Sequence, residues 1–262
     1  TTLFRSVDNE KKFELAVEYM KQDSRYQGIT VDNDFTVTNR TKAFIEELDY
    51  GQVLDGQSHT ITFAKAGEAL VLSNYGTIQN LKICSNASCA RTASKDSEDK
   101  TKNSFGIITN NNYGTITACA VQGYKDDEGD FETTVLSNAV YTGGIAGYNR
   151  GTIDQCEVKN TTILWNNTMA EAEKNEAGFT GFIGGIAGQN DYAGKITACT
   201  TEQVTVAPRT GYMKETELTA YMGGVAGVSQ GMIEGGTVKG CMIGNTSDVY
   251  GGEVGRLYAG GI

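Results

Sequence analysis

The stretch GGIAGYNRGTIDQCEV, residues 143–158, decides the fold because it returns along the chain in one register. Two further copies follow it, GGIAGQNDYAGKITACTT at 184–201 and GGVAGVSQGMIEGGTV at 223–238. Weaker copies precede it, LVLSNYGTIQNLKI at 70–83 and GIITNNNYGTITACAV at 106–121. Self-similarity at a period of roughly 20–50 residues is typical of solenoids and other repeat architectures.

One glycine marks the turn of each copy. The turn glycines are spaced 38, 37, 43 and 37 residues apart: Gly76, Gly114, Gly151, Gly194 and Gly231. We predict that they supply positive φ at tight corners and let neighbouring backbones approach closely. An isoleucine follows two residues after each turn glycine, and a second column follows three residues later: Leu81, Cys119, Cys156, Cys199 and Gly236.

The spacing inside the segment Ile-x-x-Cys-x-Val predicts a bend. Its last two named positions are two apart, as in a strand, whereas its first two are three apart. If all three face one interior, a corner must lie between them, near Asp154-Gln155 in the third copy. Short strands bent around one interior predict an all-β fold, a parallel β-helix or β-solenoid, in which equivalent residues stack about 4.8 Å apart.

The cysteine column has a structural interpretation in such a fold. Cys119, Cys156 and Cys199 would stack as small apolar side chains in the core. A metal or redox ladder is the alternative, but the chain has no Cys-x-x-Cys spacing and only one histidine. The disulfide state of Cys84, Cys89 and Cys241 stays open.

The N-terminal segment differs from the repeats. Its apolar residues follow helical spacing: Phe13, Ala16, Val17 and Met20. We predict a helix with Ser6 or Asp8 as N-cap, which covers the open strand edges of the first coil. A helix that docks a partner is the alternative.

The chain divides into two parts without a linker. Residues 1–63 are predicted to hold the capping helix and the first strands, at 28–32 and 52–63. Residues 64–262 are predicted to form the repeats of a single continuous domain. The last residues, Gly260-Gly261-Ile262, open another copy of the motif. We therefore expect this chain to be a monomeric module of a longer protein.

Composition and charge disfavour several functions. The chain has 22 Lys and Arg against 32 Asp and Glu, a net charge of −10. Such a polyanion binds nucleic acid and anionic lipid poorly. The sequence has no apolar run of ~18 residues, so membrane insertion by this segment is not expected. A histidine-dependent enzyme would have to use His59, the one histidine, which has Asp55 nearby. A structural turn role is favoured, and we predict no enzymatic activity.

The repeats and the segment before them resemble a known family. GGIAGYNRGTI and its companions resemble the GLUG motif of bacterial surface proteins. LDGQSHTITF, residues 54–63, is similar to an element that commonly precedes such repeats. The resemblance implies a right-handed parallel β-helix on a bacterial cell surface or in a secreted protein. Members of the family include large adhesins and the non-catalytic regions of immunoglobulin A peptidases.

Polar tails between the repeats are the candidate binding elements. They cover residues 91–104, 124–137, 165–179 and 208–219, and carry aromatic and acidic side chains. The candidate ligand-binding residues are Tyr124, Asp126, Asp127, Phe131, Trp165 and Tyr212. Aromatic rings beside carboxylates suit sugars or basic protein segments. In the alternative interpretation, these rings fold back and seal the flank of the solenoid.

These observations favour a cell-adhesion or interaction module that binds a host glycan or an extracellular or matrix protein. A polysaccharide lyase or hydrolase is one alternative, because two of the carboxylates clustered in the tails, for example within residues 126–132, could act together at a fixed separation. A non-catalytic region of a large secreted peptidase is another. We expect no cofactor, with calcium at these carboxylates as the alternative.

Overall fold

The chain folds as a parallel β-solenoid, which confirms the predicted fold class. The computed structural model describes residues 3–38, 41–65, 67–85, 89–91, 103–123, 133–137, 139–166, 180–209, 219–244 and 256–261. Within them, four sheets run along the coil and one helix lies near the N-terminus. We name the sheets A to D.

Sheets A and B contain the strands on either side of the predicted corner. The strands of sheet A are Leu3–Val7, Tyr26–Val31, Val53–Asp55, Thr77–Gln79, Thr115–Thr117, Thr152–Asp154, Lys195–Thr197 and Met232–Glu234. The strands of sheet B are Phe35–Val37, Thr60–Phe63, Lys82–Ser85, Cys89–Arg91, Ala120–Gly123, Thr133–Ser137, Glu157–Asn166, Thr200–Arg209, Thr237–Lys239 and Met242–Ile243.

Sheets C and D precede the turn glycine in each copy. The strands of sheet C are Ile45–Leu48, Val71–Asn74, Thr109–Asn112, Ala146–Asn149, Ala187–Asn190 and Ala226–Ser229. The strands of sheet D are Ser104–Gly106, Tyr141–Gly143, Thr180–Gly184, Thr219–Gly223 and Arg256–Gly260. A full coil therefore passes through sheets D, C, A and B in that order.

The corner between sheets A and B lies where the spacing predicted it. Gln155 has φ 52°, in the left-handed region. The equivalent residues of the other copies also have positive φ: Asn80, Ala118, Ala198 and Gly235. Backbone hydrogen bonds between neighbouring coils accompany this conformation. For example, Gln155 N donates to Thr197 O at 2.9 Å.

The turn glycines serve one of the two purposes predicted for them, the close approach of neighbouring backbones. None of the five has positive φ, so that part of the prediction was wrong. They are needed because adjacent coils pass very close at this corner. A Cβ atom on Gly114 would fall on the carbonyl oxygen of Gly76, and one on Gly151 would fall on that of Gly114, well inside 3.0 Å.

The Gly-Gly-x-Ala-Gly motif shapes the step from sheet D to sheet C. Gly143 ends a strand of sheet D, and Ala146 begins a strand of sheet C. A Cβ atom on Gly143 would collide with the Ala146 carbonyl oxygen, and one on Gly147 with the backbone of Phe105. The glycines therefore let the two sheets pack backbone against backbone.

Apolar columns fill the interior, and the predicted isoleucine column is one of them. The isoleucines after the turn glycines are fully buried in the middle of the stack: Ile78, Ile116, Ile153 and Ile196. The column before the turn is also buried: Leu70, Ile108, Ile145, Ile186 and Val225. Each such side chain contributes about 1.5–3 kcal/mol of burial free energy.

Helix α1 spans Glu10–Gln22. Its buried face contains the four residues that the spacing predicted: Phe13, Ala16, Val17 and Met20. The Phe13 ring lies 5.2 Å from Phe44 and 6.1 Å from Phe35, between centroids. The N-cap is Asn9, whose side chain accepts a hydrogen bond from Lys12 N at 3.0 Å, and not Ser6 or Asp8.

Candidate functional site

Most of the predicted ligand-binding residues fall outside the described ranges. Tyr124, Asp126, Asp127, Phe131 and Tyr212 are in this group. Trp165 is described, and its exposed fraction is 1%. Its indole N–H donates to the Ala139 carbonyl at 3.1 Å. The prediction that Trp165 binds a ligand was therefore wrong, because the ring is in the core and has no accessible face.

Two of the polar tails begin later than predicted. Glu157–Asn166 and Thr200–Arg209 are ten-residue strands, which turn a corner at Asn160 and Gln203, with φ 52° and 53°. Residues 133–137, assigned to another tail, form a strand that pairs with residues 162–165. Sheet B therefore includes residues that were predicted to belong to the polar tails.

His59 directly precedes the sheet B strand Thr60–Phe63. Its Nδ1 atom lies 3.2 Å from Asp34 Oδ1, and Asp34 also accepts a hydrogen bond from Thr60 N at 2.8 Å. That backbone bond lowers the pKa of the Asp34 carboxyl. Asp55, the predicted neighbour, accepts hydrogen bonds from Gln57 N and from the Gln79 side chain instead. These contacts tie together the start of the solenoid.

The cysteine column lies in the core, as predicted. Cys119, Cys156 and Cys199 are 0–1% exposed, and each thiol donates to the backbone carbonyl two residues earlier at 3.3 Å. Contact with a neighbouring thiol of the column, together with burial, raises the pKa of Cys156 and Cys199. They are therefore neutral packing groups. Cys84 and Cys241 carry free, half-buried thiols.

No group of three or more His, Cys, Asp or Glu side chains that could hold a metal ion occurs among the described residues. None of the helices in that part of the chain is long and apolar enough to cross a membrane. Two depressions flank helix α1, one of them lined by Asn9, Glu10, Lys11, Glu14 and Thr36. Neither depression contains a predicted site residue.

A ladder of stacked rings on sheet D was not predicted. Tyr141, Phe182, Tyr221 and Tyr258 occupy equivalent positions of successive strands. Their centroids are 5.5, 5.2 and 4.7 Å apart, and their planes differ by only 8–14°. A signal for it exists, since each ring comes two residues before a glycine at the end of its strand.

A second set of rings follows the corner between sheets C and A. Tyr75 and Tyr113 directly precede turn glycines and stack at 4.9 Å with a plane angle of 9°. Tyr50 lies 5.4 Å from Tyr75 at a tilt of 46°. Tyr148 lies 6.2 Å from both Tyr113 and Tyr141, and so joins this set to the ladder on sheet D. Together the eight rings form one aromatic row along the solenoid.

The aromatic row exposes ring faces only in places. Parallel stacked rings cover each other's faces, so the middle of the row presents ring edges to solvent. At its two ends, Tyr50 is 79% exposed and Tyr258 is 50% exposed. A flat ligand could therefore reach a ring face at an end of the row.

Charged groups lie where the two sets of rings meet. The Tyr148 hydroxyl donates to Asp191 Oδ2, and Arg150 Nε lies 3.8 Å from the same oxygen. Burial, and then the hydrogen bond to Asp191, raise the pKa of Tyr148. Asp191 is 9% exposed, whereas the Arg150 side chain is 59% exposed. The corner thus offers a cation, a carboxylate and phenol groups close together.

An asparagine ladder supports the same corner from inside. Asn74 Nδ2 donates to Asn112 Oδ1, Asn112 to Asn149, and Asn149 to Asn190, each at 2.8 Å. All four are fully buried, and Asn190 ends the ladder on Ser229 Oγ at 3.0 Å. Because buried amides must be satisfied, the ladder fixes the coils in register at this corner.

Comparison with known proteins finds a solved structure with a similar fold. The chain is similar to a crystal structure described as "a putative immunoglobulin A1 protease from Bacteroides ovatus". The TM-score is 0.53 and the identity 16%, over 98% of this chain and 83% of that chain. No protein-family model and no curated protein matches the sequence. At this identity the likeness shows a shared fold and nothing about activity.

Proposed function

We propose that this chain is a non-enzymatic recognition module of a bacterial surface or secreted protein, and that it binds a host glycan or an extracellular protein. It is a GLUG-type repeat domain that acts as a monomeric module of a longer protein. It uses no cofactor and binds neither nucleic acid nor membrane. The observation that carries the proposal is the aromatic row, which runs along a regular scaffold and offers exposed ring faces at its ends.

The scaffold favours recognition for a physical reason. A stack of parallel coils holds surface side chains at a fixed spacing of about 4.8 Å, so a chain-like ligand can make the same contact repeatedly. Exposed aromatic side chains beside polar groups are a common means of binding sugars and protein segments. The net charge of −10 disfavours polyanions as ligands.

Binding and cleavage can be separated in one experiment. The purified chain is incubated with immobilised glycans and matrix proteins, and retention is measured. The same preparations are then assayed for released sugars. Retention without release is the expected result. Release of unsaturated or reducing ends would establish the polysaccharide-cleaving alternative and overturn the proposal.

A second candidate function rests on the fold likeness. The protein from Bacteroides ovatus carries a peptidase name, and this chain spans 83% of its length at 16% identity. The chain could then be a non-catalytic region of a large secreted peptidase that positions the substrate. Incubation of the purified chain with immunoglobulin A1 should give retention but no cleavage. Cleavage by this chain alone would contradict both candidates.

A further inference from the structure

Two turns at the corner between sheets C and A are longer than the others and share one sequence feature. Residues 49–52 and 191–194 both begin Asp-Tyr, whereas the other copies have a single residue before the turn glycine. Both close with the same hydrogen bond, from residue i+3 to residue i: Gln52 N to Asp49 O at 3.0 Å, and Gly194 N to Asp191 O at 2.7 Å.

The two tyrosines of these turns are nearly free of packing. Tyr50 is 79% exposed and Tyr192 is 78% exposed. Such side chains contribute little to the core. Both occupy the second position of a four-residue turn on the same corner, and with about four fifths of their surface exposed they are directed away from the coil at equivalent places.

The distance between the two tyrosines suits an extended ligand. The strands before them, Ile45–Leu48 and Ala187–Asn190, are separated by four steps of sheet C. Four steps of about 4.8 Å place the turns roughly 19 Å apart. Tyr75, Tyr113 and Arg150 occupy the same corner in the coils between them. We call the line Tyr50, Tyr75, Tyr113, Arg150 and Tyr192 the corner ridge.

Hydrogen-bonding groups surround Tyr192. Gln230 Nε2 donates to the Tyr192 hydroxyl at 3.1 Å, so this hydroxyl keeps its own proton for another acceptor. Gln189 Nε2 donates to Gln230 Oε1 at 3.2 Å. Gln189 is only 6% exposed, and its Oε1 accepts no hydrogen bond within the described part of the chain. Because that oxygen is buried, a ligand would reach the exposed Gln230 amide and the Tyr192 hydroxyl instead, and both lie beside an exposed ring.

The charge of the ridge restricts the ligand further. Glu47 lies near Tyr75, Asp49 precedes Tyr50 and Asp191 precedes Tyr192, whereas the five residues of the corner ridge include one cation, Arg150. Burial and the nearby Asp49 carboxyl raise the pKa of Glu47, as expected for two acids held together. Anionic sugars would meet this repulsion, whereas neutral sugars would not.

We propose that the corner ridge binds a neutral oligosaccharide, with sugar rings against the faces of Tyr50 and Tyr192 and sugar hydroxyls on the polar groups around Tyr192. This inference rests on the proposed function, since it places the glycan site of the recognition module on the corner. One oligosaccharide chain that is long enough spans both tyrosines.

The test compares ridge variants with a matched control on neutral and acidic oligosaccharides of increasing length. The variants are Tyr50→Ala and Tyr192→Ala, and the control is Tyr19→Ala, a partly exposed tyrosine on helix α1 outside both the corner ridge and the aromatic row. Affinity is measured by calorimetry, and the thermal midpoint is recorded for each variant. Tyr192→Phe separates the ring contact from the hydroxyl.

We expect the chain to bind neutral oligosaccharides, and each ridge variant to lose roughly tenfold in affinity for long ones. A short oligosaccharide reaches only one tyrosine, so each alanine should remove one of two separate sites and lower the binding stoichiometry, and the double variant should lose both. The control should bind like the unaltered chain. The thermal midpoints of the ridge variants should not move, since both rings are exposed.

Three results would overturn the inference: glycan binding unaffected by either ridge variant, binding of acidic oligosaccharides only, or an equal loss in the control. Glycan binding that neither ridge variant affects would be compatible with the proposed function, but the glycan site would lie elsewhere on the module. If the chain retains no glycan and no extracellular protein at all, the proposed function fails together with the inference.

Discussion

The first and the last described coils differ in how their core is covered. At the first coils, helix α1 packs over the stack, and Phe13, Ile29 and Leu54 have no exposed surface. In the last described coil, Ile233 and Val238 are only half-buried, although they continue the columns of Ile196 and Val158. Among the described residues, Met232–Glu234 pairs with one strand, Lys195–Thr197.

This difference shows that burial belongs to the stack and not to the repeat sequence. Ile196 and Ile233 follow turn glycines in the same register, yet only the residue with a coil on both sides is fully buried. The helix replaces a missing neighbour at the first end, since its apolar face fits against Phe35 and Phe44. Substitutions at matched positions should therefore cost less toward the last described coil.

The largest contrast is expected for a charge in the interior column. Val158→Asp places a carboxylate at a fully buried position, which should cost more than about 4 kcal/mol and prevent folding. Val238→Asp, at the half-buried position of the last coil, should cost about 1 kcal/mol, because water reaches it. Circular dichroism shows whether each variant folds, and urea unfolding gives the free energy of unfolding of a variant that does. Equal losses would mean that the last coil is as well covered as the middle.

The capping helix provides the next contrast. Phe13→Ala removes a fully buried ring and should lower the free energy of unfolding by about 3–5 kcal/mol. Leu15→Ala, on the exposed face of the same helix, should change it by less than about 0.5 kcal/mol, since Leu15 is 50% exposed. If Phe13→Ala lowered the free energy of unfolding as little as Leu15→Ala, the helix would not stabilise the first coils. The alternative role, in which the helix docks a partner, would then be favoured.

The asparagine ladder gives a smaller contrast. Asn149→Ala removes one of the two acceptors of Asn112 Nδ2 and the donor to Asn190 Oδ1, both buried, at a cost of about 2–4 kcal/mol. Ser229→Ala, at the end of the ladder, removes one acceptor at an exposed position and should cost less than about 1 kcal/mol. Thermal unfolding of the two variants under identical conditions measures the loss of stability in each. A cost for Ser229→Ala as large as that for Asn149→Ala would contradict the ladder as a chain of buried bonds.

The features that recur in a fixed register could be predicted from the sequence. The interior columns, the corner at Gln155 and the buried face of helix α1 all follow from spacing, because period and side-chain direction are linked. The corner conformation was less predictable. Positive φ at Ala118 and Gln155 is unfavourable for these residue types, but hydrogen bonds between coils compensate for it.

Features that depend on contacts between distant segments could not be predicted. Sheet D was missed because four of its five strands end at the first glycine of a Gly-Gly pair, which indicates a turn and hides the strand before it. Trp165 was misplaced because an aromatic residue in a polar stretch has no signal that tells core from surface. The ridge tyrosines, Tyr50 and Tyr192, were overlooked because they belong to turns longer than the repeat, and only the three-dimensional stack shows that the turns are equivalent.

The smallest contrast concerns the aromatic ladder on sheet D. Tyr221 stacks on Phe182 at 5.2 Å and on Tyr258 at 4.7 Å, whereas Tyr258 has one stacked neighbour among the described residues. Tyr221→Ala should cost about 1–2 kcal/mol, and Tyr258→Ala about 0.5–1 kcal/mol. A double-mutant cycle between the two should give a coupling of about 0.5–1 kcal/mol, because offset or parallel ring contacts add to burial. A coupling near zero would show that the rings merely lie side by side, and that the backbone of sheet D alone sets their spacing.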